Sequence, residues 1–473
     1  MAEQAPVFIL IAPLAAVVII TLLGLRNDRI CLPVTLMALG GSLLASITTL
    51  GLVVAEGEVS YFLGGWSSPR GIGIEYRIDQ INGLVLVMIS AVALITTFYS
   101  KERLELETPG KTPHFYALYL LAVIGLLGMT ITGDAFNLYV LLEVASLTAY
   151  ALVAMGQSRR AAVSAFNYLI MGTIGASFYL LGVGYLYLKT GSLNMADIQQ
   201  VITTQGLASS KTIQVAFILI LVGVWIKMAF FPLSGWLPNV YSYAPSTTAC
   251  LLAPLVTKVS IYVMIRMMLT VFGPEFVFNS RDGSEVIVWL AVVAIISASV
   301  LALRQTELKR MLSYLILAEV GYMVGGAWLA NHYGMVGAIY HILSDGFMTL
   351  ALFLASGIFF HATGSHSIAA LKGIHEKMPW TMAAFTVAAL SMIGVPPTCG
   401  FFSKFYLIRG GIESGHWEYV VALLFSSLIN AILFFRIIES AYFNILPAGE
   451  ANEEDPHSLI EPEFEKAPGS MLI

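Results

Sequence analysis

Long apolar runs recur along almost the whole chain, and they limit its fold more than any single motif does. A bilayer core of about 30 Å needs about 20 apolar residues per crossing helix, because lipid offers no partners to an unpaired backbone. The composition, 58% hydrophobic and 11% charged, lies outside the range of soluble domains. We therefore expect an all-α polytopic membrane protein with thirteen spans, at residues 7–25, 32–54, 79–100, 115–132, 135–155, 162–188, 212–238, 248–271, 285–303, 311–330, 335–360, 380–409 and 417–443.

The remaining composition excludes several classes of function. The net charge of -5 comes without a basic cluster, which argues against a nucleic-acid partner. The three cysteines, Cys31, Cys250 and Cys399, have no disulfide or metal-site spacing. Paired axial histidines and cysteine clusters are also missing from the sequence, so we expect no cofactor and no metal.

The distribution of positive charge predicts the orientation in the membrane. Twelve Lys and Arg residues lie in one alternate set of predicted loops and six in the other. Loops rich in Lys and Arg remain in the cytoplasm, so we expect the N-terminus outside. The first run lacks a basic leader and a cleavage site, which favours a retained span. The acidic segment 446–473 is then predicted to be a cytoplasmic tail.

Two of the predicted spans are interrupted by helix-breaking residues. In lipid such a break persists only where protein or a water-filled cavity surrounds it. Both interrupted spans also carry a lysine, Lys227 in the first and Lys404 in the second. We therefore predict two broken helices beside an ion route, with the breaks at Pro232, Gly235 and Pro238 and at Pro396, Pro397 and Gly400.

Ionisable residues inside the spans occur in pairs at a nearly constant separation. Glu143 and Glu319 are 176 residues apart (319 − 143), and Lys227 and Lys404 are 177 apart (404 − 227). Lys258 and Arg436 are 178 apart (436 − 258). The offset corresponds to five spans, an odd number, so it predicts two inverted five-span repeats with ion sites near the bilayer midplane. The expected units are residues 1–110, the repeats 111–272 and 273–445, and the tail 446–473.

Four segments resemble a known family. GDAFNLYVLLEVASLTAYALVA, the run around Lys227, LKRMLSYLILAEVGYM and SMIGVPPTCGFFSKFYL are similar to the antiporter-like subunits shared by respiratory complex I, membrane-bound hydrogenases and Mrp-type cation/proton antiporters. The resemblance covers about residues 75 to 445 and is greatest to the D-type subunit of Mrp antiporters. It implies fourteen helices with two inverted half-channels. The chain ends in EKAPGSMLI, which resembles the lead-in to the last family helix, so we expect that helix to be absent from this sequence.

The resemblance also implies roles for individual residues. Glu143 and Lys227 would form the gating ion pair, and Lys258 would be the relay lysine of the eighth helix. Lys404 would be the lysine of the twelfth helix. Each is rare inside a membrane and expensive to bury, which is itself typical of functional sites.

Three positions depart from the family pattern. Asp345 and Thr349 stand where many relatives have a second histidine and a lysine, so the middle of the relay would consist of His341 and Asp345. Glu319 replaces an amide that is common in relatives. We count Glu319 and Arg436 as possible additional site residues.

The predicted function is that of a proton-translocating or cation/proton antiporting subunit of a larger Mrp-like or complex I-like assembly. Buried Lys, Glu and His suit this work because burial brings their proton affinities together. The expected partners are other hydrophobic antiporter-like subunits, and possible energy sources include a redox or hydrogenase module. The alternatives are a stand-alone Na⁺/H⁺ antiporter and a redox-complex subunit that contributes to quinone or cofactor chemistry. No catalytic chemistry is expected in this chain itself.

Overall fold

The computed structural model describes residues 4–66, 73–278 and 281–443, and nearly all of them are helical. The predicted tail 446–473 lies outside the described residues. Short π-helical turns, Ile20–Gly24 and Met267–Phe272, extend the first and the tenth helix. The α-helices are α1 (Ala5–Ile19), α2 (Cys31–Glu56), α3 (Gln80–Glu107), α4 (Thr112–Ile131), α5 (Ala135–Ala154), α6 (Arg159–Thr190), α7 (Met195–Thr204), α8 (Lys211–Lys227), α9 (Leu237–Tyr243), α10 (Ser246–Arg266), α11 (Pro274–Phe278), α12 (Arg281–Leu303), α13 (Leu308–Trp328), α14 (His332–Thr363), α15 (Ile374–Lys377), α16 (Pro379–Ile393), α17 (Cys399–Ser414) and α18 (Trp417–Phe443).

Eleven helical segments in the described ranges are long and apolar enough to cross a membrane. They coincide with eleven of the thirteen predicted spans, and the chain is an integral membrane protein. The two interrupted spans are each built from two shorter helices, α8 with α9 and α16 with α17. The count of thirteen spans is therefore not reproduced as continuous helices.

The first break separates α8 from α9. Met228 to Trp236 form turns between the two helices, and Pro232 and Gly235 lie among them. Pro238 does not lie in the break but in the first turn of α9. Proline is well suited to that position because the N–H group it lacks would have no partner within the helix.

The second break separates α16 from α17 and is only five residues long, Gly394 to Thr398. Pro396 and Pro397 lie within it, whereas Gly400 lies in the first turn of α17. A methyl group on Gly400 would lie 1.9 Å from the carbonyl oxygen of Ser391 in α16. Gly400 is therefore required by the close approach of the two half-helices.

Two isolated β-bridges occur at matching places in the chain. Asp134, before α5, pairs with Asn194, before α7, and Glu307, before α13, pairs with Ser367. Both members of the second bridge follow those of the first by 173 residues (307 − 134 and 367 − 194). The packing around them also matches, because α4 packs on α5 and α5 on α6, while α12 packs on α13 and α13 on α14.

The two helix breaks correspond as well, at a different spacing. The amide of Phe230 donates to the carbonyl of Trp225, and that of Val395 donates to the carbonyl of Leu390, both at 3.0 Å. The spacing is 165 residues (395 − 230 and 390 − 225). At this register Lys227 precedes its break, and Lys404 follows its own. The two lysines therefore lie on opposite sides of their breaks along the sequence.

A short hairpin was missed by the all-α prediction. Strands β1 (Val59–Phe62) and β2 (Glu75–Ile78) pair antiparallel between α2 and α3. Glu75 accepts hydrogen bonds from the Ser60 hydroxyl and from the Asn194 amide, both at 2.7 Å. The hairpin is thereby fixed to the loop that precedes α7.

The centre of the bundle is formed by α10 and α13, whose membrane-spanning windows are each 94% buried. A helix enclosed on every side is held by its packing partners and not by lipid. These two helices carry Lys258 and Glu319. Both charges therefore lie in protein surroundings at the core of the molecule.

Candidate functional site

Seven of the eight predicted site residues lie in three ion-pair clusters inside the bundle. The clusters join α5 to α8, α10 to α14, and α13 to α14 and α17. Their members are Glu143 with Lys227, Lys258 with Asp345, and Glu319 with His341 and Lys404.

The first cluster surrounds the end of α8. The Lys227 ammonium lies 3.3 Å from a Glu143 oxygen and donates to the hydroxyls of Ser146, at 2.7 Å, and Tyr150, at 3.4 Å. Lys227 is the last residue of its helix, where the free carbonyl groups favour a positive charge. Glu143 is less deeply buried than the lysine, with 20% of its side chain exposed. This acid is therefore the better placed of the two to exchange with water.

The second cluster lies at the centre. The Lys258 ammonium is 2.8 Å from Asp345 Oδ2, and both side chains have no exposed surface. Thr349, one turn along α14, donates to Asp345 Oδ1 at 2.8 Å. Lys258 also donates to the carbonyl of Ala253 at 3.3 Å, inside its own helix. A buried charge requires such compensation, since an unpaired ion in this environment costs several kcal/mol.

The third cluster places Glu319 between two bases. One carboxylate oxygen makes a short hydrogen bond with His341 Nε2, and the other lies 3.9 Å from the Lys404 ammonium. His341 Nδ1 is hydrogen bonded to the Ser403 hydroxyl at 2.8 Å. Lys404 donates to the carbonyl of Met392, the second-to-last residue of α16, at 2.6 Å. The ammonium therefore bridges the second helix break.

Each of the three clusters combines acids with bases. Each acid contacts a base, and removal of either partner would leave a buried charge without compensation. If a pair opened, desolvation would favour the neutral forms of both Lys and Glu, and the lysine would tend to give up its proton. Proton transfer along buried pairs is the chemistry that this geometry supports.

Hydroxyl groups complete the clusters, and the sequence interpretation overlooked most of them. Ser146 follows Glu143 by three residues, and Thr349 follows Asp345 by four. Side chains at these spacings lie on one face of a helix. That spacing, together with burial of the charged residue, is the signal that would have identified them.

Arg436 does not join the clusters. It is exposed on α18, and the structure shows no ion pair for it within residues 4–66, 73–278 and 281–443. A different arginine, Arg266, forms an ion pair with Asp79 at 2.7 Å, and Asp79 caps α3. Burial alone would raise the pKa of Asp79, but the Arg266 guanidinium outweighs it and holds the pKa below its usual value.

This fold, with its broken helices and buried acid–base pairs, defines an antiporter-like membrane protein. A family model described as NADH:quinone oxidoreductase/Mrp antiporter, transmembrane, matches residues 132–430. The chain belongs to this family, and the family prediction made from the sequence is confirmed.

Relatives come from both branches of the family. The chain is 42% identical to the N-type subunit of NADH-quinone oxidoreductase from Desulforudis audaxviator, covering 100% of this chain and 93% of the relative. It is 30% identical to the D-type subunit of the Na(+)/H(+) antiporter from Alkalihalophilus pseudofirmus, covering 86% and 80%. The identity is thus higher to the oxidoreductase relative than to the antiporter relative.

Solved structures show the same fold. An archaeal membrane-bound sulfane sulfur reductase, a respiratory membrane complex, contains a chain that matches with a TM-score of 0.86 and 27% identity, covering 93% of this chain and 88% of that one. The Mrp complex of a Dietzia species matches with a TM-score of 0.85 and 24% identity, covering 94% and 81%. Both matching chains are therefore components of membrane complexes.

Proposed function

We propose that the chain is a proton-translocating or cation/proton antiporting subunit of a multisubunit membrane assembly. The observation that carries the proposal is the set of three buried ion-pair clusters, which connect helices of both halves of the bundle. An ion pair with a purely structural role does not need further ion pairs near it. Apolar residues of similar volume would stabilise the bundle at least as well.

Glu143 and Lys227 form the gating pair of the relay. When this pair opens, Lys227 loses its counter-charge and its proton moves toward Lys258. Lys258 holds Asp345, and the relay continues to His341. The histidine suits this position because its ordinary pKa is near neutrality.

Glu319 occupies the last step of the relay. It contacts both His341 and Lys404, so a proton that leaves the histidine has an acid beside it and a lysine beyond it. The sequence interpretation placed Glu319 among the possible additional residues. The contacts support a full role in the path between His341 and Lys404.

The two matching bridges and the two matching breaks support an inverted duplication of residues 111–272 and 273–445. Four crossing segments lie between α4 and α12, which makes α12 the fifth crossing after α4, so the two units would lie in opposite orientations. The register from the bridges places Glu319 opposite Ser146 (319 − 173), one turn along from Glu143. The ionisable groups of α5 and α13 therefore lie on equivalent faces of the two helices, although their positions differ by one turn.

The expected surroundings follow from the relatives. These relatives are components of assemblies that contain other membrane chains, so we propose neighbouring antiporter-like subunits for this chain. We also propose that the loops rich in Lys and Arg face the cytoplasm and that the N-terminus lies outside. We propose protons as the transported ion and Na⁺ as a candidate for the ion that is exchanged against them.

Proton flux in sealed membrane vesicles that contain the intact assembly tests the proposal. We expect Lys227→Ala and Lys404→Ala to abolish coupled transport while the assembly remains intact. Arg436→Gln is the matched control, because it removes a positive charge from a span without touching the clusters. Full transport by either lysine variant would refute the relay.

A further inference from the structure

A cavity of about 390 Å³ lies at one end of the bundle, where α3 ends and α10 begins. It opens beside Gln157 and Ser158, which are exposed, and its inner wall includes Arg103, Glu107 and Lys309. The volume is sufficient for on the order of ten water molecules. None of these charged residues belongs to the three ion-pair clusters.

The inner wall is a network of buried charges. Arg103 Nε lies 3.3 Å from Glu107 Oε1, and the Glu107 carboxylate accepts from the backbone amides of Ser246, at 3.1 Å, and Thr247, at 3.0 Å. Lys309 donates to the Ser246 hydroxyl at 3.0 Å. Arg103 and Lys309 are each almost wholly buried. Buried charges inside a membrane protein are expensive, and they typically mark a functional site.

The arrangement suits protons better than an anionic ligand. Two cations face two acids, Glu107 and Glu307, so the cavity has no excess of positive charge. His366 adds none, because burial, together with Lys309 and Arg103, lowers the pKa of its ring to about 4. Arg103 also contacts His361 Nδ1 at 2.6 Å. A guanidinium only donates, so this ring nitrogen is an acceptor while the contact holds.

Polar side chains continue from the cavity toward Lys258. Tyr99, one turn before Arg103, is buried, and its hydroxyl lacks a hydrogen-bond partner among the described residues. That hydroxyl points at Gly357 of α14, where an added methyl would lie 2.0 Å from it. On α10, Lys258 is twelve residues beyond Ser246, which corresponds to about 18 Å of helix.

One face of α14 carries further buried hydroxyl groups between the cavity and Asp345. Ser356 and Thr349 are buried and lie eleven and four residues beyond Asp345, spacings that share one helix face. Thr349 is hydrogen bonded to Asp345 and within 3.5 Å of the Lys258 ammonium. Hydroxyl groups therefore lie at both ends of the stretch between the cavity and the central pair.

We propose that this cavity is the proton entrance of the relay, with Glu107 as the carboxylate that takes protons from water and Tyr99 as the next group inward. The inference rests on the proposed function, since an entrance has meaning only if Lys258 and Asp345 carry protons. Glu107 also holds the first amides of α10, and its protonation would loosen the N-terminus of the helix that carries Lys258.

The test measures proton flux through the intact assembly in vesicles while the pH on the cavity side is varied. Glu107→Gln should lower the flux about tenfold at pH 8 on that side, a smaller loss than the hundredfold or more typical of a group at the reacting centre, because water can still reach the cavity. The deficit should shrink toward pH 6, where protons are abundant. Ser246 and Thr247 donate to different oxygens of Glu107, and glutamine keeps one of the two, so one of these contacts to the start of α10 is retained.

Glu105→Gln is the matched control, because Glu105 is an exposed acid on the same helix. It should leave the flux unchanged at every pH, and Glu107→Asp should restore most of it. If Glu107→Gln lowered the proton flux equally at all pH values, or did not lower it at all, the assignment of the cavity as the entrance would be refuted. Lys258→Met separates the entrance from the relay. Intact proton flux in Lys258→Met would refute the relay itself. Lost flux in Lys258→Met, together with normal flux in Glu107→Gln, would refute the entrance alone.

Discussion

Lys258 and Asp345 approach to 2.8 Å at the centre of the bundle, and neither side chain has any exposed surface. The pair joins α10, which begins at the cavity beside Glu107, to α14, which carries His341. In the proposed relay it is the contact through which the two halves meet.

Asp345→Asn should abolish proton flux and destabilise the protein. The lysine would remain buried without a counter-charge, at a cost of about 3–5 kcal/mol. Thermal unfolding of the purified assembly and vesicle flux assays measure the two effects.

A double variant separates stability from function. Lys258→Met with Asp345→Leu removes both charges, and it should recover most of the lost stability while transport remains absent. Recovery of transport would show that the pair is structural.

The sequence predicted the membrane class and the family, and seven of the eight residues predicted for the site lie in the clusters. What it could not predict were the partners. Lys258 and Asp345 are 87 residues apart (345 − 258), and their contact depends on how α10 packs against α14. Periodicity describes the faces of one helix, and it carries no information about which faces meet.

The same limit explains the misplaced residues. Pro238 and Gly400 were predicted in the breaks, but both lie in first helical turns. Proline fits a first turn as well as a break, and Gly400 is required by the close approach of α16 and α17. The β1–β2 hairpin contains only four residues in each strand, too few for a clear alternating pattern. Arg436 matched the repeat only in its sequence separation from Lys258, and its side chain is exposed.

Glu143→Gln should reduce proton flux far more than Ser146→Ala. The glutamate supplies the only carboxylate that contacts Lys227 within the described ranges, whereas the serine supplies one of two hydroxyls. We expect a loss of at least about a hundredfold for Glu143→Gln, typical of a proton-transfer group, and less than about tenfold for Ser146→Ala. Equal effects in the vesicle assay would contradict a switching role for the acid.

Glu319→Gln tests the step between His341 and Lys404. The amide keeps the shape and can still bond to one base, but it cannot carry the proton between them. We expect flux to fall at least about tenfold with normal assembly, while Glu319→Asp retains part of the activity. Unchanged flux in the glutamine variant would place the path elsewhere.

Gly400→Ala tests the second helix break. Its new methyl would overlap the carbonyl of Ser391, so α16 and α17 must separate, and Lys404 moves with α17. We expect destabilisation of about 1–3 kcal/mol and a loss of flux. Gly235→Ala, in the first break, is the control, because no atom lies within 4 Å of its added methyl. Equal unfolding temperatures for the two variants would show that the break tolerates separation.

The pH dependence of stability should include a contribution from His366, which stacks on Phe360 with ring centroids 3.9 Å apart. Burial and then the nearby cations Lys309 and Arg103 lower its pKa from 6.5 to about 4 in the folded protein. Between these values the unfolded chain binds a proton that the folded chain does not, so stability is full above pH 6.5 and falls toward pH 4. The thermal midpoint of His366→Gln should therefore decline less steeply over that window than that of the unmodified protein. Parallel curves would show that the ring is protonated in both states alike.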